Sequence, residues 1–586
     1  TIWVIEGACT LPLLLRLHFL QDVHNTCGIG RLGVIHRNTM DALLVILLGL
    51  VVLLVVVSVV LACVFFMLAR SLPPVQKGVV AFFHPFADGG GGGERVLWCA
   101  VKAVQDASKT AKVVIYVREG VSAQQLLDDA ARRFNIHIDK PIQLLPLRRA
   151  PLLLPERYPR LTLVRQAVAA VGAGLEALRQ CVPEVFIDTT GWAFPYPWAA
   201  WAGARVVAYV HYPTLSSDML ARVWSGAAGF NNGPEIAESP VKSAAKLLYY
   251  WLLAGWYGAC GGAVAVAAVN SSWTRRHMRR LWGWTGRQPV LVYPPVDTPA
   301  LLSLPLDRPL KQLYLVSVAQ FRPEKNHRLQ LQAFAAAKRA AGPTLQGQAV
   351  REAKLKFIGG VRGPGDEARL AELRGYAEEL GLGDSVEWIP NAPYSQLVSL
   401  LGGAVGGLHA MTDEHFGISV VEYMAAGVVP IAHNSAGPAE DIVLPLEPHE
   451  AAAAALSDNT AAAAAGGAAG GGAAGGGADP HAPTPLSSSS AEAAGTSPAE
   501  TAAHEGSLLP HLSERPCSPP QCSAPQITGF LASSVEEYAE AISRLLGMEQ
   551  RERLRIAAAA QRRAARFSTA RFMQDFTAAV GGLLPP

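Results

Sequence analysis

A chain of 586 residues is too long for one hydrophobic core, so two large domains with room for appendages are expected. Its 50 Lys and Arg against 47 Asp and Glu leave a formal charge of +3, which argues against a polyanion binder and implies no nucleic-acid partner. The 8 cysteines are scattered without zinc-type pairing; Cys517 and Cys522 come nearest to a motif, and reduced thiols in a cytosol-facing protein are the simplest reading.

After an N-terminal segment, 1–42, the stretch 43–69, "LLVILLGLVVLLVVVSVVLACVFFMLA", carries no charge. As a helix it is long enough to cross a hydrocarbon core of about 30 Å, so a transmembrane helix is expected here. Arg16, Arg31 and Arg37 precede it while Arg70 and Lys77 follow, so flanking charge does not set its orientation. A second apolar stretch, 247–269, is broken by Gly255, Gly258, Gly261 and Gly262 and reads as an interfacial aromatic helix followed by a buried strand.

Beyond the anchor, short β-branched apolar runs alternate with Ala/Leu/Arg-rich helical stretches. The runs at 78–86, 111–117, 184–190, 204–211 and 262–272 form one set, and those at 312–319, 354–360, 386–390, 406–411 and 427–434 form a second. That alternation predicts two doubly wound α/β domains, 78–300 and 301–450, with ligands beyond the carboxyl ends of their strands. Residues 451–525 are Ala/Gly tracts that become Ser/Pro-rich, with almost nothing to bury, and read as a disordered insertion. Structured patterning resumes at 526–586, the remainder of the second domain, with a short strand and a helix bearing Val535, Tyr538, Ala539, Ile542 and Leu546.

Three strand ends carry chemistry. "FADGGGGGERVLW" (86–98) follows a strand and opens a helix, where glycines let the backbone approach a phosphate and the helix N-terminus offers amides. It lacks the GxGxxG spacing of a dinucleotide site. In "LVSVAQFRPEKNHRLQL" (315–331) a buried strand breaks into Arg322 and Lys325, with Pro323 suited to a first helical turn. In "HAMTDEHFGISVVEYMAAG" (409–427) Glu414 leaves a strand and Glu422 follows two turns into a helix over 416–426, so both carboxylates can face one ligand. Alone, the pair would equally suit a helix cap and a solvated carboxylate.

The E-x7-E pair, the R-x-x-K pair and the Gly-rich turn resemble the retaining GT-B glycosyltransferases that use sugar nucleotides. More narrowly, "FFHPFADGGGGGERVLW", "YVHYPTLSSDML", "VNSSWT", "SVAQFRPEKNH", "HFGISVVEYMAAG", "AHNSAGPAEDIV" and "TGFLA" together resemble the dolichol-pathway α-1,2-mannosyltransferases of the endoplasmic reticulum membrane, whose catalytic domains face the cytosol. The resemblance covers about 78–580 apart from the insertion. It implies a GT-B fold of two Rossmann-like domains facing a cleft, behind an N-terminal transmembrane helix. It implies GDP-mannose as donor, a dolichyl-pyrophosphate-linked oligosaccharide as acceptor, and other mannosyltransferases of the pathway as partners.

By the same resemblance Arg322 and Lys325 hold the donor diphosphate and Glu422 the ribose. Glu414, with the backbone of His415, Phe416, Gly417 and Ile418, holds the mannose; Gly90, Gly91 and Gly92 lie near the phosphates, and His211 touches the donor sugar. His84 reads as structural. No DxD occurs, so no metal and no cofactor beyond the donor is expected. Two other readings stand beside this one: a retaining transferase with another donor or lipid acceptor, such as a phosphatidylinositol mannosyltransferase, and a membrane-tethered scaffold without turnover.

Overall fold

Runs such as Val79–Phe83 place an apolar residue at every position, and only a strand covered on both faces can bury such a run. The computed structural model describes residues 45, 48–49, 51–53, 55–60, 63, 67, 70–225, 239–307, 312–445 and 526–586. Its first sheet comprises β1 (Val75–Phe83), β2 (Lys112–Arg118), β3 (Ile142–Leu147), β4 (Val182–Asp188), β5 (Arg205–Val210), β6 (Val264–Val269) and β7 (Val290–Leu291). Their order is β3-β2-β1-β4-β5-β6-β7, and each described pairing is parallel. Alternation along β1 sends Val79, Ala81 and Phe83 into one core with Tyr116 and Phe186, and Val80 and Phe82 into another with Trp98 and Ile115.

The second sheet repeats the plan. Its strands are β8 (Tyr314–Val318), β9 (Lys354–Gly359), β10 (Val386–Pro390), β11 (Gly406–His409), β12 (Val429–His433) and β13 (Phe530–Ala532), in the order β10-β9-β8-β11-β12-β13. Leu315, Phe357 and Ile431 face one core while Val316, Ile358 and Ala432 face the other. Strand β13 pairs with β12 through Ile431 and Phe530, and Pro445 bridges Gly529, so the chain re-enters beside the point at which it left. The expected disordered insertion, 451–525, lies outside the described residues.

The stretch 526–586 does not stay with one sheet. The helix Val535–Gly547 buries Tyr538, Ile542 and Leu545 in the second domain, whereas the helix Thr569–Val580 buries Phe572, Phe576 and Val580 in the first domain's core. The forward and return crossings are bonded together: Val296 N–H donates to the Phe567 carbonyl at 3.0 Å, and Thr569 N–H donates to the Val296 carbonyl at 3.2 Å.

Residues 43–69 are described only in part, and the expected transmembrane helix falls partly outside the described set. The described positions 45, 48–49, 51–53, 55–60, 63 and 67 are helical and exposed, and among the described residues no helix is long and apolar enough to cross a membrane. The second apolar stretch forms the helix Pro240–Gly261 followed by β6, helix then strand, as its glycines suggest.

Candidate active site

The carboxyl ends of β1, β4 and β5 face those of β8 and β11 across the cleft, and the sequence-selected residues gather on the loops there. After β8, Arg322 precedes a single 3-10 turn, Pro323–Lys325. The turn that Pro323 suits does not run on into a helix, because Asn326 takes a left-handed conformation (φ 48°) before the helix His327–Ala340 begins. The turn aims Lys325 at β11, where its Nζ lies 2.6 Å from Glu414 Oε2 and 3.1 Å from Met411 Sδ. His409 Nε2 stands 3.3 Å from the same carboxylate oxygen. Burial works to raise the Glu414 carboxyl, but the His409 hydrogen bond and the Lys325 charge outweigh it and hold the group well below the usual carboxylate range. Arg322 is half-buried, and its guanidinium makes no hydrogen bond or ion pair among the described residues.

The second carboxylate is one helix away in a different environment. The helix spans Ile418–Ala425, shorter than the expected 416–426, because Gly417 sits at φ 109° as its N-cap and offers no side chain to the first-turn amides. Phe416 is buried 5.4 Å from the ring of Phe567, so only its backbone reaches the site. Glu422 lines a cavity of about 450 Å³ with Gly90, Gly91, Gly92, Arg95, Asp297 and Tyr394. Burial pushes its carboxyl up to about 7, Arg95 opposing and Asp297 reinforcing the rise. Glu414 and Glu422 therefore differ in charge state near neutrality, although both come from one short motif.

The Gly-rich turn belongs to the opposite wall. Glu94 accepts a hydrogen bond from the Gly91 amide and lies 3.5 Å from His84 Nε2. His84 Nδ1 meets Thr189 Oγ1 at 2.7 Å, and the Thr189 carbonyl accepts from His211 Nε2 at 3.1 Å. His84 is thus a buried framework residue. His211, whose imidazole burial pushes down to about 4, is neutral and lies beneath Gly93. A Cβ on Gly92 would stand 2.9 Å from Ile418 Cδ1 across the cleft, so a larger residue would have to displace the end of that side chain.

Several contacts at this interface have no signal in the sequence, although His415 is expected there for its backbone and Tyr212, Trp273 and Asp441 fall inside the resembling motifs. The rings of Tyr212, Trp273 and His415 lie near-parallel, with centroids 4.1 Å apart for Tyr212–His415 and 5.5 Å for Trp273–His415. They edge a second cavity, about 350 Å³, with Pro323, Asn326 and Asp413. Asp441, buried, accepts from Ser272 N–H at 2.8 Å and from Tyr293 O–H at 2.9 Å, and Arg276 forks onto Glu440 at 2.9 and 2.6 Å. Arg95 approaches Asp297 at 3.4 Å, coupling the Gly-turn helix to the crossing between domains.

Two facing parallel sheets with cations and an E-x7-E pair at their carboxyl edges define a GT-B glycosyltransferase. Solved structures share the fold: a UDP-forming α,α-trehalose-phosphate synthase from Burkholderia xenovorans covers 87% of this chain and 100% of its own (TM-score 0.52, 11% identity). A Burkholderia multivorans α,α-trehalose 6-phosphate synthase covers 86% and 98% (TM-score 0.51, 13% identity).

Residues 77–282 match the family described as ALG11 mannosyltransferase N-terminus, and 305–465 match glycosyl transferases group 1. The Homo sapiens GDP-Man:Man(3)GlcNAc(2)-PP-Dol alpha-1,2-mannosyltransferase is 39% identical over 511 residues, 86% of either chain. The Xenopus tropicalis protein of the same name is 45% identical over 381 residues, 64% of this chain and 76% of that one. The chain belongs to this family of alpha-1,2-mannosyltransferases.

Proposed function

We propose that the protein transfers mannose from GDP-mannose, with retained anomeric configuration, to a dolichyl-pyrophosphate-linked oligosaccharide, forming α-1,2 linkages during N-glycan precursor assembly. The observation that carries this reading is the 39% identity to a relative so named across 86% of both chains, spanning both domains and all the cleft residues.

In this reading Arg322 and Lys325 take the donor diphosphate, with the uncapped amides at the Ile418 helix start adding positive potential. Ionised Glu414, an acceptor only, receives hydrogen bonds from mannose hydroxyls, with the backbone of His415–Ile418 beside it. Glu422 receives the ribose hydroxyls, and neutral His211 reaches the sugar from the opposite wall. The leaving diphosphate draws the proton from the acceptor hydroxyl on the same face of the sugar, so no protein nucleophile is needed. The protein then contributes orientation and stabilisation of the departing charge.

The working place is the endoplasmic reticulum membrane, with the catalytic domains on the cytosolic side and other mannosyltransferases of the pathway as neighbours. Support for the membrane comes from the uncharged 43–69 stretch and from Leu248, Trp251 and Leu252, exposed on the helix Pro240–Gly261. Incubating the purified protein with GDP-mannose and a dolichyl-pyrophosphate-linked oligosaccharide, then sizing the product and assigning its new linkage, tests the reading. Transfer from another nucleotide sugar, or to a phosphatidylinositol acceptor instead, would replace it.

A further inference from the structure

The helix Ser272–Trp282 carries Arg275, Arg276, Arg279 and Arg280, which line a hollow of about 400 Å³ with Ser272 and Glu440. Arg275 with Arg279, and Arg276 with Arg280, are like charges one turn apart, a spacing at which they repel. Among the described residues Glu440 is the one carboxylate lining the hollow, and it is taken by Arg276. The side chains of Arg275 and Arg279 make no hydrogen bond or ion pair among the described residues. The unengaged pair Arg275 and Arg279 forms a site for an anion with several oxygens, which paired guanidinium forks match better than single ammonium groups do.

The ridge stands between two other surfaces, and their order matters. At its start Trp273 lies at the sugar-sized cavity beside Tyr212 and His415. At its far end Trp284, four residues after Arg280, is 68% exposed and lies against Gly258 of the helix Pro240–Gly261. Two turns back on that face of the helix Trp251 is 60% exposed, with Leu248 and Leu252 beside it. Cleft, cations and apolar surface thus follow one another along the packed pair of helices. A lipid-linked oligosaccharide has the same order of parts: sugar, diphosphate, hydrocarbon.

We propose that Arg275 and Arg279, assisted by Arg280, hold the diphosphate of the lipid-linked acceptor, so that the acceptor lies along the helix Ser272–Trp282 with its sugars in the cleft and its lipid over Trp284 and Trp251. This rests on the acceptor class given under the proposed function. It adds a second diphosphate site, separate from the donor cations Arg322 and Lys325.

The test compares the full-length protein with Arg275→Ala/Arg279→Ala and Arg275→Lys/Arg279→Lys, in neutral detergent without phospholipid. Calorimetry with farnesyl diphosphate and with farnesol measures binding without turnover. Transfer from GDP-mannose is followed with one oligosaccharide, either free or linked to a short polyprenyl diphosphate. The parent should bind farnesyl diphosphate and prefer the diphosphate-linked acceptor. The alanine variant should lose about tenfold or more in both, with the lysine variant between them and the GDP-mannose KM unmoved.

Equal farnesyl diphosphate binding by parent and alanine variant would overturn the proposal. So would a rise in the GDP-mannose KM or an equal loss on the free oligosaccharide. An effect confined to vesicles containing an anionic phospholipid would make the ridge a headgroup contact rather than an acceptor site. Farnesyl diphosphate binding that depends on the arginines, with no mannosyl transfer by the parent, would uphold the ridge as a lipid-diphosphate site and reject the proposed reaction instead.

Discussion

Lys325 and Glu414, 89 positions apart in the chain, meet at 2.6 Å on the carboxyl edge of the second sheet, so the ammonium already has an anionic partner before a diphosphate arrives. Replacing Lys325 by Ala should lower kcat/KM about ten- to hundredfold and destabilise the fold by about 1–3 kcal/mol at pH 7. A carboxyl held below its unfolded value contributes stability that is complete above that value and lost as pH falls through the folded one. The stability gap between parent and Lys325→Ala in urea melts should therefore hold from pH 7 down to about 4.5, the ordinary value of the carboxyl, and shrink only below it. A gap independent of pH would remove Glu414 from the interaction.

Arg322, with no described partner, is free for a ligand. Arg322→Ala should weaken GDP binding about ten- to hundredfold while leaving guanosine binding within about twofold, because the lost contact is to phosphate. Calorimetric titration with both ligands separates the cases. Equal losses for GDP and guanosine would put Arg322 at the nucleoside, and no loss for either would take it out of the donor site.

Glu422 provides a proton-counting experiment. Its carboxyl lies at about 7, so at pH 6.5 much of the free protein holds it protonated. Accepting ribose hydroxyls favours the ionised form, and GDP binding at that pH should release a fraction of a proton. The release appears as a binding enthalpy that varies with buffer ionisation enthalpy, and Glu422→Gln should reduce the variation to the part that the GDP terminal phosphate, which also titrates near this pH, contributes. A carboxyl raised in the fold also costs stability as pH climbs from its unfolded value through about 7. Glu422→Gln should therefore melt higher than the parent at pH 8 and no higher at pH 5.

Gly92 and Ile418 set how closely the walls approach. Gly92→Val should drive a branched side chain into Ile418, a strain of about 1–3 kcal/mol, and reduce transfer about tenfold or more. GDP binding should fall less than transfer, because most of its proposed contacts, Arg322, Lys325 and Glu422, lie on the second domain. Adding Ile418→Ala should restore much of the lost rate. A double variant no better than Gly92→Val would place the defect in the Gly turn itself.

Much of the scaffold was legible because β1, β2, β4, β5 and β6 each contain a short apolar run, such as Val79–Phe83 or Val113–Val117, whose two faces are both covered. Strand β3 was not: it is an edge strand containing Pro146, and its exposure alternates without a clean period. The two residues of β7 give no periodicity at all. Glu414, Glu422, Arg322 and Lys325 stood out by spacing and resemblance. His409, Arg95, Asp297 and the stacking of Tyr212 and Trp273 on the His415 ring did not, although the His415 backbone was expected at the site, because their significance comes from partners brought together by the fold. The difference in charge state between Glu414 and Glu422 was equally hidden, since it is set by Lys325 in one case and by burial near Asp297 in the other.

The return of the chain to its first domain also fixes the order in which the protein can mature. The ribosome releases the first sheet long before it makes Phe572, Phe576 and Val580, yet those side chains complete that sheet's core. The early half must therefore wait with an apolar face uncovered while the later half is synthesised and folds. The helix Val535–Gly547 completes the later half, and only the helix Thr569–Val580 then closes the earlier one. A chain terminated shortly before residue 569 would retain the cleft motifs while displaying that uncovered face, which is the kind of surface chaperones bind.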